Sequence, residues 1–340
     1  MDTESAKGVH PTNKITILAD TTLTVQYQLG LGLIGVGAAG QVYGVDDDIV
    51  LKACRIYVPP SSAASAHVLY DYASESIFHC GISKDEKVVN RLLSQHPHPN
   101  ITEAIDTNYP EGIYFRRYQP FPKTGLPAQP GRIRWYQDIL QALAHIHSLR
   151  LTHSDLRMDN ILLDAQGRAL LADFGASAPF GSPNPSLPVL LNGPAETVSH
   201  ATDAFAMASL IYEVEIGARQ EISLDDCKEL ILPVVLTGHA GLDALVGKGW
   251  CGEYASTEEM LADAQRLGDG LDTRGRVVPS SSREELQARI SQWRETRQEQ
   301  HGCILYSLPT EAQLQALAER YGWDVDAERH FKDDQWETEL

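Results

Sequence analysis

His153-Ser154-Asp155-Leu156-Arg157-Met158-Asp159-Asn160-Ile161-Leu162-Leu163, followed thirteen residues after Asn160 by Asp173-Phe174-Gly175, is the stretch on which the reading of this 340-residue chain turns. It places three carboxylates, a guanidinium and an amide in one short span. A hydroxyl attacking a phosphoryl group needs a carboxylate beside it, a cation near the transferred phosphate and hard oxygen ligands for a divalent metal. Asp155, Arg157, Asn160 and Asp173 are of the types that supply these in turn.

Upstream, Gly35-Val36-Gly37-Ala38-Ala39-Gly40-Gln41-Val42 is a GxGxxGxV run in which missing side chains let backbone N–H groups approach phosphate oxygens. Alone it is a weak signal, equally readable as a plain glycine turn. The dinucleotide reading requires the glycines to open a helix, with an acid about 20 residues on. Here the chain enters another strand, and the acidic cluster Asp46-Asp47-Asp48 comes too early. The next motif, Ile49-Val50-Leu51-Lys52, puts a lysine on a strand. A strand lysine is ordinarily solvated, but one that follows a glycine run can hold α- and β-phosphates.

Taken in order, these motifs resemble those of the eukaryotic protein kinase family over roughly residues 25–265. The resemblance implies an α+β, bilobal fold with a small β-rich N-lobe, a mainly α-helical C-lobe and, beyond the family's span, a C-terminal helical extension. It implies ATP and Mg2+ as cofactors. ATP would be held by Gly35, Val36, Gly37, Ala38, Gly40, Val42, Lys52 and Glu86, the last as the helix partner of Lys52. Catalysis would fall to Asp155 as base with Lys52 and Arg157, and Asn160 and Asp173 would bind the metal. For Glu86 the plainer reading is a solvated helix glutamate. Pro194-Ala195-Glu196 stands where the family has APE. Asp203 resembles the buried aspartate that anchors the catalytic loop, with a helix N-cap as the competing reading.

Several positions depart from the pattern. Ser154 replaces the arginine that in many kinases clamps a phosphate, making the chain non-RD. Residues 175–194 contain no threonine or tyrosine, leaving Ser177, Ser182 and Ser186 as the available hydroxyls, so competence without phosphorylation is expected. Arg157 replaces a lysine, exchanging a point donor for a planar fork. No arginine within residues 252–260 can pair with Glu196. The stretch between Lys52 and Glu86 is longer than usual, and Arg116-Arg117 leads into the hinge. These features resemble those of divergent kinase-like proteins of filamentous fungi.

The expected organisation is a disordered N-terminus over residues 1–14, an N-lobe over 15–118, a C-lobe over 119–266 and an extension over 267–340. Strands are expected within 15–33, 41–45, 49–56, 101–106 and 112–118, and helices over 84–94, 132–150 and 201–216. Ser282 with Glu285 and Thr310 with Gln313 form capping boxes ahead of two tail helices, whose stripes pack on their own domain or receive a docking partner.

The count of 46 acidic against 28 basic side chains, a net charge of -18, argues against nucleic acid and against an anionic membrane surface as partners. The five separated cysteines indicate a reducing compartment rather than a disulfide framework. The first residues lack a signal-peptide pattern and no apolar run reaches a bilayer-spanning length. A cytoplasmic location is therefore expected, with the nucleus as a second place. The expected partners are ATP and a protein substrate, serine or threonine in preference to tyrosine. Two alternatives stay open, a pseudokinase scaffold and a small-molecule kinase on a related fold.

Overall fold

A computed structural model describes residues 23–37, 40–227, 229–268, 281–302, 305–327 and 329–331. The expected disordered residues 1–14, the start of the expected strand region at 15–22, Ala38 of the glycine run and Cys303 lie outside the described residues.

The N-terminal part is built on a five-stranded antiparallel sheet in the order Leu33–Val36, Gly40–Gly44, Ile49–Cys54, Gly112–Arg116, Ala104–Asp106. Its register pairs Lys52 with Val42 on one side and with Ile113 on the other. Because side chains alternate across a strand, Val42, Val50 and Lys52 share one face while Tyr43, Ile49 and Leu51 share the other. Both faces are covered. Helix α1 (Ala66–Gln95) lies on the Lys52 side, and a helix from the far end of the chain covers the opposite side.

Helix α1 runs for 30 residues, starting well before the expected 84–94. Ser65 caps it by accepting a hydrogen bond from Val68 N, and it stops at His96, where Pro97 and Pro99 bar further turns. The surplus length between Lys52 and Glu86 is therefore taken up as helix. In its first half Tyr70 and Phe78 are exposed while Ser76 and His79 are buried, so no purely apolar face marks it in the sequence.

The C-terminal part is helical. Helix α2 (Gln129–Ser148) and helix α3 (His200–Ile216) form its centre, with helix α4 (Ala240–Trp250) and helix α5 (Thr257–Arg266) packed against them. Ile139, Leu140, Leu143 and Ile146 of α2 are fully buried, as are Met207, Ala208 and Ile211 of α3. The capping box of α3 uses Ser199 and Thr202, so Asp203 is free of the capping role. The short strand Gln119–Pro120 pairs with Ile161–Leu163, bringing the chain into this half.

Both tail capping boxes form. Helix α6 (Arg283–His301) begins at Ser282 with Glu285, and helix α7 (Glu311–Glu319) at Thr310 with Gln313. Leu286 and Ile290 of α6 insert among Tyr43, Ile49, Leu51, Ile105 and Tyr114 on the outer face of the sheet, about 2 kcal/mol each. Arg289 pairs with Asp48 at 2.7 Å and Arg294 with Glu111 at 2.7 Å along the same seam. Leu314 and Ala318 of α7 pack on Cys80 of α1. The apolar stripes of the tail are thus filled by the chain's own N-terminal half.

Candidate active site

Lys52 stands at the centre of the cleft face. Its Nζ donates to Glu86 Oε1 at 2.6 Å and to Asp173 Oδ1 at 2.7 Å. Burial by itself would push the ammonium down, but the two carboxylates outweigh it and hold its pKa above the ordinary lysine value. Burial raises Glu86, with Lys52 only partly offsetting it. Burial also works against the charged form of Asp173, yet Lys52, the Gly175 N–H and His153 together bring its carboxyl below the usual range. An ammonium has three donors. Two are engaged here, which leaves one for an incoming anion.

The loop from His153 to Asn160 is fixed from beneath. Asp203, fully buried, accepts from His153 N at 2.7 Å, from Ser154 N at 3.0 Å and shares a 2.8 Å hydrogen bond with His147 Nε2. Burial opposes its ionisation, but the bond with His147 leads the contacts that keep the carboxyl below its usual range. His147 in turn shares a 2.5 Å hydrogen bond with Thr257 Oγ1 at the first residue of α5, so α2, α3 and α5 converge on the loop. Ser154 adopts a left-handed φ of 63°, and Asp173 one of 64°, conformations that side chains ordinarily avoid. At both places the surrounding hydrogen bonds impose the geometry.

Asp155 and Asn160 meet directly: Asn160 Nδ2 donates to Asp155 O and to Asp155 Oδ2, each at 2.8 Å. Ala172 N donates to Asn160 O at 2.9 Å, and Ala172 O bonds to His153 Nε2 at 3.0 Å, tying the residue before Asp173 to the loop on both sides. Phe174 is buried, edge-on to His153 with ring centroids 5.2 Å apart. Lys52, Asp173, Asn160 and Asp155 therefore form one connected line. Asn160 keeps its side-chain oxygen, and Asp173 its second carboxylate oxygen. These are hard oxygen donors of the kind magnesium takes while leaving other positions to phosphates and water. Among the described residues no group of three or more His, Cys, Asp or Glu could hold a metal ion.

Arg157 lies at the rim. Its Nε is 4.0 Å from Asp155 Oδ2 and its Nη2 is 3.4 Å from Asp159 Oδ2. Lys123 also reaches Asp159, at 2.8 Å, and its hydrogen bond is the main cause of that carboxyl's lowered pKa.

The glycine run forms the hairpin between the first two strands, with Gly37 N donating to Gly40 O at 2.9 Å. A side chain at Gly40 would place its Cβ 2.5 Å from Ala53 O, so only glycine fits beside the Lys52 strand. A Cβ at Gly37 would sit 3.8 Å from Asp173 Oδ2, so the loop overhangs the Asp173 carboxylate. Gly35 is under no comparable constraint, since its Cβ would meet only Val42 at an ordinary 3.7 Å. Arg55 Nη2 pins the loop by donating to Gly37 O at 2.7 Å.

Several residues around the site carry no motif. Arg55, His147 and Asn192 act through backbone carbonyls or through another side chain. Away from Glu196, Arg132 forms an ion pair of 2.6 Å with Glu215, whose side chain is fully buried. Glu196 itself is exposed and has no side-chain partner among the described residues. A large cavity of about 1120 Å3 lies elsewhere, lined by Asn90, His98, Arg116, Arg168 and Arg283. None of Lys52, Asp155, Asn160 or Asp173 borders it.

The sequence profile of the protein kinase domain matches residues 31–219. The chain is 34% identical over 113 residues to cyclin-dependent kinase 7 of Xenopus laevis, covering 31% of this chain and 32% of that protein. It is 24% identical over 175 residues to the serine/threonine-protein kinase PrkC of Bacillus subtilis, covering 49% of this chain and 25% of that one. Against CBL-interacting protein kinase 25 of rice, Oryza sativa subsp. japonica, it is 42% identical over 65 residues, covering 19% and 12%. The chain spans about a third or less of the length of these relatives.

Proposed function

This chain belongs to the protein kinase domain family, and on that footing we propose that it transfers the γ-phosphoryl group of magnesium ATP to a protein serine or threonine. The observation that carries the reading is that the Lys52–Asp173 and Asn160–Asp155 bonds are brought together by the Ala172 N–H donating to Asn160 O. Lys52 offers its remaining N–H to α- and β-phosphate oxygens. The backbone around Gly35, Gly37 and Gly40 covers the phosphates, with Val36 and Val42 flanking them. Asn160 and Asp173 would hold magnesium, which when bound neutralises phosphate charge.

Asp155 orients the acceptor. With Oδ2 engaged by Asn160, its Oδ1 is left to accept the hydroxyl proton as the acceptor attacks. Arg157, flanked by Asp155 and Asp159, supplies positive charge at the rim, as a fork rather than a point donor. The preference for serine or threonine rests on Leu156-Arg157-Met158-Asp159 and on the name of the PrkC relative. A scaffold reading keeps some ground because Glu196 is exposed, so the platform for a peptide is not built on the family's usual ion pair.

We propose the cytoplasm as its location, with the nucleus as a second place, a reading that the five separated cysteines of the sequence support. Among the described residues no helix is long and apolar enough to cross a membrane. Any docking partner of the tail is assigned to the polar outer faces of α6 and α7.

The test is incubation with magnesium and γ-labelled ATP alongside a panel of proteins, small amines and sugars. Label on protein serine or threonine supports the reading. Label confined to the small molecules, or nucleotide binding with no transfer, overturns it.

A further inference from the structure

The segment from Gly175 to Glu196 must be held still for an acceptor to sit beside Asp155, yet Ser154 supplies no cation to grip a phosphate on it. The hydrogen bonds show what holds it instead. Asn192 Nδ2 donates to Ser154 O at 2.8 Å, and that carbonyl belongs to the peptide unit leading directly into Asp155. Asn192 is buried, with 2% exposure, and its own N–H donates to Ser186 Oγ at 3.0 Å.

Ser186 is fixed in its turn, through N at 3.1 Å and Oγ at 2.9 Å to Asn184 Oδ1. Asn184 closes the loop by donating from Nδ2 to Ala195 O at 2.8 Å and to Gly193 O at 3.3 Å, and from its N to Glu196 O at 2.8 Å. Gly193 has a φ of 77° and lies so close to Phe205 of α3 that a Cβ would stand 3.0 Å from the ring. The segment is therefore a closed turn seated on α3; its start is tied to Leu151–Thr152 by strand pairing and by the Thr152 Oγ1 bond to Ala178 O, and Asn192 supplies a side-chain bond from its far end to the 153–160 loop. Ser154 has no further backbone group to offer, since its N is taken by Asp203. Its Oγ shares a 2.7 Å hydrogen bond with Thr152 Oγ1.

We propose that Asn192 is a positioning residue that locks the Gly175–Glu196 segment to the Asp155 peptide, with Asn184 and Ser186 bracing it, so that neutral hydrogen bonds replace a phosphate clamp. This deepens the kinase reading and rests on it for its catalytic consequence. The bracing also fixes the sign of any modification here. A phosphate on Ser186 would remove the hydroxyl proton that Oγ donates to Asn184 Oδ1 and set a negative charge against that amide oxygen, breaking the turn, so it would switch the enzyme off.

The experiment compares wild type, Asn192→Ala and the isosteric Asn192→Asp, which has an acceptor where the donor was. Two readouts are taken: peptide phosphorylation and amide hydrogen exchange across residues 184–198. Both variants are expected to lose about 10- to 100-fold in kcat, because a misplaced acceptor is costly, while nucleotide affinity changes less than about twofold. Exchange across the segment is expected to accelerate in both. Phosphatase treatment of wild type is expected to leave its rate unchanged.

Retention of wild-type peptide turnover by Asn192→Asp overturns the proposal, as does a large fall in wild-type rate on phosphatase treatment. If wild type transfers no phosphate at all, the kinase reading fails by itself. The exchange data then still decide the lock, since unchanged protection in both variants refutes it.

Discussion

Asp85 and Glu86 are consecutive residues of α1 that grip opposite ends of the chain. Glu86 holds Lys52 at 2.6 Å, while Asp85 accepts from Arg329 Nε at 3.0 Å and from His330 N at 2.8 Å. Successive helix residues point about 100° apart, so one turn of α1 serves both the cleft and the tail. Phe331 belongs to the same core as Val89 and Phe174, and α7 packs against the same helix. The tail thereby helps hold α1 at the distance at which Glu86 reaches Lys52.

Arg329→Ala removes one partner of a buried pair and leaves Asp85, whose carboxyl burial already pushes up, with the His330 N–H but no cation facing it in this pair. A loss of about 3 kcal/mol in stability is expected. Weaker ATP affinity should accompany it if α1 shifts. Thermal melts and nucleotide titration check both, and an unchanged affinity would separate the tail from the cleft.

Glu86→Gln keeps the shape of the side chain and removes the charge facing Lys52. Lys52 then keeps Asp173 as the one carboxylate of this pair, and the ammonium is drawn towards it. Transfer is expected to fall about 100-fold, with ATP binding weakened less. Steady-state kinetics in both substrates test this, and a variant with a wild-type rate would remove Glu86 from the machinery.

Asp203→Asn leaves the volume unchanged but presents an NH2 group where three donors converge. One of His153 N, Ser154 N or His147 must lose its acceptor, at a cost of about 2–3 kcal/mol for a buried group. Denaturant unfolding should register that loss and the rate should fall with it. A helix-capping role for Asp203 would instead confine the damage to the start of α3, without affecting the rate.

Much of this was legible because Lys52, Asp155, Asn160 and Asp173 sit in fixed local spacing, and spacing survives folding. The strand expected over 49–56 is found as Ile49–Cys54 and carries Lys52. What the sequence hid depends on contacts between distant segments. Asn192 lies in a proline-rich loop, where an asparagine usually signals nothing beyond a turn, and only the approach of Ser154 O gives it a role. The start of α1 was hidden because its polar and apolar residues do not segregate. The Asp85–Arg329 pair spans 244 positions, a separation that no local pattern reports.

Acid should expose a separate weak point. His98 Nδ1 accepts from Asn100 N at 3.2 Å, which requires that nitrogen to be unprotonated. Burial, with His145 stacked 4.9 Å away, lowers its pKa from 6.5 to about 4. The unfolded chain therefore binds more protons than the native one between those values. The stability this histidine contributes is present above pH 6.5 and lost as pH falls towards 4. The loss is at most about 3 kcal/mol. His98→Asn should flatten the stability profile over that range relative to wild type, and equal slopes would contradict the assignment.

The central claim is that Asp155 orients the acceptor within a site whose nucleotide is held by other residues. Its most direct test is single-turnover transfer from γ-labelled ATP by wild type and Asp155→Asn, with magnesium nucleotide affinity measured on the same preparations. The account predicts equal affinity and a loss of at least about 1000-fold in transfer for the variant. Transfer within a few fold of wild type, or equal absence of transfer in both proteins, would contradict it.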